Sequence, residues 1–385
     1  MMTGLKIFFD AYRYLMNCVK ESLKSLDYDQ LTHIFKLLIN NRKKRQTIIV
    51  DGQGRSLQSI LLSEDCLEHN GFPIIFPAEN ANVRPWRKGD LFFFNSGSGS
   101  GSPLKHAQSA KEDGLHVLGM TQNRQLLEEF PDTVLILNPS QKRNAIYAPL
   151  GTEFEFCSAV IGSCIGSAVN DTEGEANRKF QMHSQTLLDL FESSIGHFEE
   201  NLDSLLQFIA VINPYIQPKN KNHVYFQGVG RDMIINHVAA IRYGHLHKEI
   251  GGKVVKDLRV ISMGHWDLRK EKDLAIITSG SGSTPQTLDY CLQAFISGMN
   301  IYGFTSFEDS DLGKFTKRVA GCLVIPGRRD RFSMYNVTLK HRRDFLPEFE
   351  LNTYLTMDSL LSQIAFDNEI TEDDMRAIHR LKALE

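Results

Sequence analysis

Apolar residues fall along this chain in two rhythms. Short unbroken runs at 47–50, 91–94, 117–120 and 134–137 alternate with longer stretches in which apolar side chains recur every third or fourth residue. The unbroken runs predict strands buried on both faces, which is the pattern of a parallel sheet covered by helices, and the spaced stretches predict those helices. Residues 5–40 read as one helix ahead of the first strand, and 183–212 as another ahead of a second set of strands. The polar segment 170–179 lies between the two sets, so the expected domains are residues 1–178 and 179–385.

The second set repeats the first. Thr47-Ile-Ile-Val-Asp-Gly-Gln-Gly-Arg55-Ser56 matches His223-Val-Tyr-Phe-Gln-Gly-Val-Gly-Arg231-Asp232. Asp90-Leu-Phe-Phe-Phe-Asn-Ser96-Gly-Ser98-Gly matches Asp273-Leu-Ala-Ile-Ile-Thr-Ser279-Gly-Ser281-Gly, and Glu153-Phe-Glu155 matches Glu348-Phe-Glu350. The offset between copies grows from 176 to 183 to 195, which places insertions near 253–272 and 327–343, charged stretches suited to surface loops. By composition alone, Ser96 to Ser102 reads as a flexible linker. Its recurrence after the same Asp and apolar strand predicts a structured turn instead. Each copy therefore reads as helix, strand, G-x-G-R turn, helix, strand, SGSG turn, helix, strand and a long closing helix.

Composition narrows the function. With 42% hydrophobic and 23% charged residues the chain is an ordinary globular protein, and 385 residues suggest two domains at roughly 150 residues each. A net charge of −3 provides no field to gather nucleic acid or an anionic membrane, and no apolar run approaches the ~20 residues of a membrane helix. The six cysteines include no C-x-x-C pair and no zinc-like spacing with histidine. The expectation is a cytoplasmic protein without metal or cofactor.

In a doubly wound sheet, ligands bind where strand ends lead into helix N-termini, and both Gly-rich turns fall there. Glycine lets the backbone approach an anion, free N–H groups point at it, and hydroxyls add neutral donors. Neither turn supplies the third glycine of a dinucleotide site or the Gly-Lys-Ser/Thr of a P-loop. Gly54, Arg55, Ser56, Ser96, Gly97, Ser98 and Ser100 in the first copy, and Ser279, Ser281 and Thr284 in the second, are the candidate phosphate-binding residues. His69 and His245 each follow the turn arginine by 14 residues. Glu155 and Glu350 open the closing helices, where a carboxylate can act in proton transfer or only favour the helix dipole.

These motifs resemble, twice over, the sugar isomerase (SIS) domain family, and within it the 6-phospho-3-hexuloisomerases. That branch carries strand-G-x-G-R-S, a helix ending M-H-L-G, an S-G-S-G-x-T turn and G-T-x-F-E. The matching segments here are Gly52-Gln-Gly54-Arg55-Ser56, Leu67-Glu-His69-Asn-Gly71, Ser96-Gly-Ser98-Gly-Ser100-Gly101 and Gly151-Thr-Glu-Phe-Glu155. The resemblance implies two flavodoxin-like α/β sandwiches with parallel central sheets. It implies phosphate held by the turn hydroxyls, Glu155 as general base, and His69 acting across an interface between subunits, in a homodimer or a pseudo-symmetric pair of domains. The implied activity is cofactor-independent isomerisation of a sugar phosphate, aldose–ketose or ketose–ketose. A non-catalytic phosphosugar sensor, or an amino-sugar-phosphate deaminase or lyase, fits the same fold. Gly101 replaces the family threonine, Asp232 replaces the turn serine in the second copy, and Gly-Thr is missing before Glu348.

Overall fold

The computed structural model describes residues 2–382 apart from 73–74, 78–85, 141, 218–219, 247–248, 251–252, 255–259, 262 and 330–345. Most of the charged stretch expected at 327–343, and part of that at 253–272, therefore lies outside the described residues.

The chain opens with α1 (Lys6–Lys24) and α2 (Tyr28–Lys43), followed by β1 (Ile48–Gly52), α3 (Arg55–His69), β2 (Ile75–Pro77) and β3 (Leu91–Asn95). Next come α4 (Ser102–Glu112), β4 (His116–Thr121), α5 (Leu126–Glu129), β5 (Val134–Ile136) and α6 (Thr152–Ala168). Two helices, α7 (Glu173–Glu200) and α8 (Leu202–Ile216), lead into β6 (Val224–Gln227), α9 (Arg231–Tyr243), the β7 (Glu249–Ile250) and β8 (Lys253–Val254) hairpin, and β9 (Val260–Ile261). The chain then runs through β10 (Leu274–Thr278), α10 (Pro285–Ile296), β11 (Asn300–Thr305), α11 (Asp311–Lys317) and β12 (Gly321–Val324). It closes with α12 (Glu348–Asp367) and α13 (Glu372–Lys382).

Two parallel five-stranded sheets result, ordered β2-β1-β3-β4-β5 and β9-β6-β10-β11-β12. The strand order is the same in both, and in each the chain reverses direction across the sheet between the first-formed strand and its neighbour, β1/β3 and β6/β10. The apolar runs at 47–50, 91–94, 117–120 and 134–137 become β1, β3, β4 and β5, and the central strands β1 and β3, with β6 and β10 of the second sheet, are buried throughout, as two-sided coverage by helices requires. The Ser96 to Gly101 segment is a turn fixed between β3 and α4, not a linker.

Helices α3, α6, α9 and α12 form a layer between the sheets. Helix α6 is buried on every side from Phe156 to Ala168, so it shows almost no polar face. Its glycines allow the close crossing with α3: a Cβ on Gly162 would lie 2.1 Å from Ser63 Oγ, and one on Gly166 would lie 2.8 Å from the Ser63 carbonyl oxygen. That contact sets the spacing between the N-termini of α3 and α6, and so between Arg55 and Glu155.

Two helix expectations need correction. The single helix over 5–40 is broken at residues 25–27, because the Asp27 carboxylate accepts the Asp29 and Gln30 N–H groups (2.9 and 3.1 Å) and caps a new helix. The helix expected at 183–212 begins earlier, at Glu173 behind the Thr172 cap, and is interrupted at Asn201. Only Asn170 to Thr172 of the polar segment lies outside helix. Helix α1 also packs on α12, through Phe8 N–H to Gln363 Oε1 (3.0 Å) and Tyr12 Oη to Asn352 Oδ1 (2.5 Å).

Candidate active site

The first G-x-G-R turn leaves β1 at Gly52, turns through Gly54 in a positive-φ conformation (+56°) and enters α3 at Arg55. The second leaves β3 at Ser96 and passes through Gly99 and Gly101 (φ +59° and +77°) into α4. Asn95 ties these pieces together, donating from Nδ2 to Ser56 O and Ser158 Oγ, both at 2.9 Å. Ser98 and Ser100 are exposed and share a hydrogen bond at 2.7 Å, while Ser96 is buried below them. Hydroxyls and backbone N–H groups at the start of an eleven-residue helix make a neutral site suited to an anion.

The corresponding turn in the second half is closed on itself. Ser279 and Ser281 are 1% exposed, and both lie close to Thr284 Oγ1, at 3.2 and 3.4 Å. Asp232 stands at the place of Ser56. Burial, with Glu350 beside it, holds the Asp232 carboxyl well above the usual carboxylate range, against the pull of Arg328, Arg231 and the Gly280 N–H.

Each half places a buried arginine against a glutamate of its own half and an aspartate of the other. Arg55 Nε lies 3.2 Å from Glu155 Oε2, and its Nη2 lies 2.5 Å from Asp358 Oδ2. Thr152 Oγ1 and Tyr354 Oη take further donors from it, both at 3.2 Å. Arg231 Nε lies 3.2 Å from Asp65 Oδ2 and 3.6 Å from Glu350 Oε1. Although burial works against the charge, Asp358 and Glu155 hold the Arg55 guanidinium above its ordinary value. Burial pushes the Glu155 carboxyl up to about 7, even with Arg55 and Arg242 opposing it. The Glu155 side chain is 16% exposed, so it can be reached from solvent.

The histidines cross over as the arginines do. His69 Nδ1 lies 2.6 Å from the Asp65 carbonyl oxygen and 3.4 Å from Asp65 Oδ2, and Asp65 is the partner of Arg231. His69 thus lies on the Arg231 side, reached through Asp65. His245, buried just beyond α9, follows Arg242, whose Nη2 donates to Thr152 Oγ1 (2.5 Å) and Pro149 O (3.0 Å) at the entrance to α6. Its ring packs at a tilt against His379 of α13, with centroids 5.5 Å apart. Burial, and then the neighbouring Arg55, bring Arg242 down to about 10.

Helix α13 is fastened to this side of the site. Glu372 accepts the Leu150 N–H (2.7 Å) and binds the guanidinium groups of Arg143 and Arg376. A cleft of about 430 Å³ opens there, lined by Gln122, Arg143, Gly151, Glu153 and His379 among others. Leu150 holds a positive φ of +61°, a strained conformation for a residue with a Cβ. Thr152 belongs to the Gly151 to Glu155 motif, whereas Tyr354, Asp358, Asp65, Arg242 and the α13 residues carry no local sequence signal. Asp358 and Asp65 are brought in only by the packing of α12 and α3.

No family model matches the chain. Over 195 residues it is 25% identical to an uncharacterized protein of Archaeoglobus fulgidus, a match covering 46% of this chain and 98% of that protein. Solved structures of other proteins are similar in fold across nearly the whole chain. A proposed phosphosugar isomerase from Clostridium difficile 630 is 13% identical, with 95% of this chain and 94% of that one covered and a TM-score of 0.61. Tagatose-6-phosphate ketose/aldose isomerase from Escherichia coli is 12% identical, with 91% of each chain covered and a TM-score of 0.57. The fold is of the SIS type. The C-terminal domain of glucosamine-fructose-6-phosphate aminotransferase from Francisella tularensis shares this SIS fold at 13% identity, with 94% of this chain and 95% of that one covered and a TM-score of 0.56. At these identities the likeness establishes architecture, two parallel sheets flanked by helices.

Proposed function

We propose that the first half binds a sugar phosphate and isomerises it, with Glu155 as the proton-transfer group. The observation that carries this reading is the position of Glu155: a carboxyl raised to about 7 at the start of α6, paired with the arginine that immediately precedes Ser56 of the phosphate turn. Moving a carbonyl by one carbon removes a proton from the neighbouring carbon and returns it to the former carbonyl carbon. A single carboxyl that is both ionised and protonated near neutral pH serves both steps of an enediolate route. Ser56, Ser96, Ser98 and Ser100 hold the phosphate, Arg55 orients the carboxylate, and His245 lies on the opposite side.

The two halves, residues 1–178 and 179–385, act in this reading as two SIS domains paired within one chain. Their common strand order and the half-length relative support it. The histidines then work crosswise, His69 through Asp65 on the Arg231 side and His245 three residues beyond the Arg242 that binds Thr152. The second half is a weak or non-catalytic ligand site, because a buried Asp232 takes the place of the turn serine Ser56 and the Ser279 and Ser281 hydroxyls are closed in against Thr284. The substrate pair to try first is 3-hexulose 6-phosphate and fructose 6-phosphate, in the cytoplasm; among the described residues no helix is long and apolar enough to cross a membrane. The likeness in fold to a tagatose-6-phosphate ketose/aldose isomerase supports the phosphosugar class. A thermal-shift panel of phosphosugars, followed by NMR of each stabilising compound for isomer formation, tests this. Binding without conversion of any compound favours a sensor instead.

A further inference from the structure

His106 lies on α4, one turn beyond the Ser96 to Gly101 turn, and is the imidazole nearest in sequence to it. Its Nδ1 lies 2.8 Å from Asp51 Oδ2. Asp51 is in β1, with a side chain only 3% exposed, and its other oxygen accepts the Gly52 N–H at 2.8 Å. An ionised carboxylate only accepts, so the Asp51 contact assigns the Nδ1–H proton and leaves Nε2 for an outside partner. The His106 side chain is 46% exposed, so that partner can come from solvent.

The location is what gives the pair meaning. In the order β2-β1-β3-β4-β5 the chain reverses between β1 and β3, and the crevice beyond those two strand ends is where such sheets bind ligands. His106 belongs to the helix after β3 and Asp51 to β1, so their hydrogen bond spans that crevice. Gln53 and Gly101 confirm that the two turns approach each other there, since a Cβ on Gly101 would lie 3.5 Å from Gln53 Oε1. The donors already placed in the crevice are neutral hydroxyls and amides, and Arg55 is engaged by Glu155 and Asp358. In the second half Gln227 stands at the position of Asp51, so the pair belongs to the half whose turn is open.

We propose that His106, oriented by Asp51, is a ligand-binding residue of the first site and donates a charge-assisted hydrogen bond from Nε2 to the bound phosphate. It makes good the donor lost where Gly101 replaces threonine. Asp51 is a positioning residue, and it is the charged group in contact with the ring among the described residues. This inference rests on the phosphate reading of the turns, but not on isomerisation.

The test is calorimetry on the full chain with two probes, fructose 6-phosphate and inorganic phosphate, at pH 7.5 in two buffers of different ionisation enthalpy. The expected result is proton uptake on binding by the unmodified protein. In His106→Gln, affinity for both probes falls about tenfold or more and the uptake disappears. His106→Gln keeps the side-chain length at a half-exposed position, and an unchanged melting temperature shows that the variant is folded. Asp51→Asn, which can still accept from Nδ1, lowers affinity less and reduces the uptake. Unchanged affinity and uptake in His106→Gln overturn the assignment. Binding of inorganic phosphate that depends on His106, without binding of the sugar phosphate, sustains the assignment and overturns the phosphosugar reading. Failure of both probes to bind overturns both.

Discussion

Arg55 Nη2 and Asp358 Oδ2 meet at 2.5 Å, joining the first residue of α3 to the middle of α12 across 303 positions of chain. Both groups are buried, and removing the carboxylate leaves Arg55 with Glu155 as its remaining charged partner. Asp358→Asn should therefore destabilise the protein by about 3 kcal/mol, read as a lower urea midpoint. The Asp358 charge also contributes to raising the Glu155 carboxyl. The same variant should move the acidic limb of the pH–rate profile to lower pH.

Because Glu155 is raised to about 7 and must be ionised to take a proton, kcat/KM should rise with pH through about 7 with a slope of one. Stability runs the other way. The folded protein holds this proton more tightly than the unfolded chain, whose carboxyl has the ordinary value of 4.5. The stabilising contribution is complete below about 4.5 and is lost as pH rises through about 7. Urea midpoints between pH 5 and 8 should fall for the unmodified protein relative to Glu155→Gln. A constant difference would show that the carboxyl is not raised.

The turns of the two halves should differ in binding. Ser98→Ala removes a donor to a charged group, worth about 1.5–3 kcal/mol, so phosphosugar affinity should fall roughly tenfold or more. The unmodified chain should show one tight site by calorimetry, and Asp232→Ser should strengthen or create a second. Two equal sites before substitution would remove the role given to Asp232.

Gly166→Ala should cost about 2 kcal/mol, since its Cβ would meet the Ser63 carbonyl oxygen at 2.8 Å and force α3 and α6 apart. Gly196→Ala, inside α7 with nothing within 4 Å, is the control and should be neutral or stabilising by up to about 1 kcal/mol. Equal effects of the two in thermal melts would mean that the crossing is not tight.

The strands and turns were legible because parallel strands covered on both faces leave unbroken apolar runs, and because the Gly-Ser turn recurs after the same Asp and apolar strand in both halves. The break at Asp27 was less visible, since one capping side chain outweighed a helical pattern that continues on both sides. Strand β9 is two residues long and leaves no run to detect, and at β2 the run Ile74-Ile75-Phe76 is short and bracketed by prolines. At the site, Glu155 and the turn serines were readable as local motifs. The crossing of His69 to the Arg231 side is no local motif: the family resemblance implied a histidine acting across an interface, and the packing of α3 on α9 sets which groups it meets. Asp51 and His106 lie 55 residues apart and meet only through the β1–β3 pairing.

Glu155→Gln tests the central claim most directly. The amide keeps the shape of the side chain but cannot accept the proton. With a phosphosugar that the unmodified protein converts, followed by NMR, the variant should bind with affinity within a few-fold of the original and form no isomer. Conversion at the original rate by Glu155→Gln would contradict the account and reduce Glu155 to a charge at the start of α6.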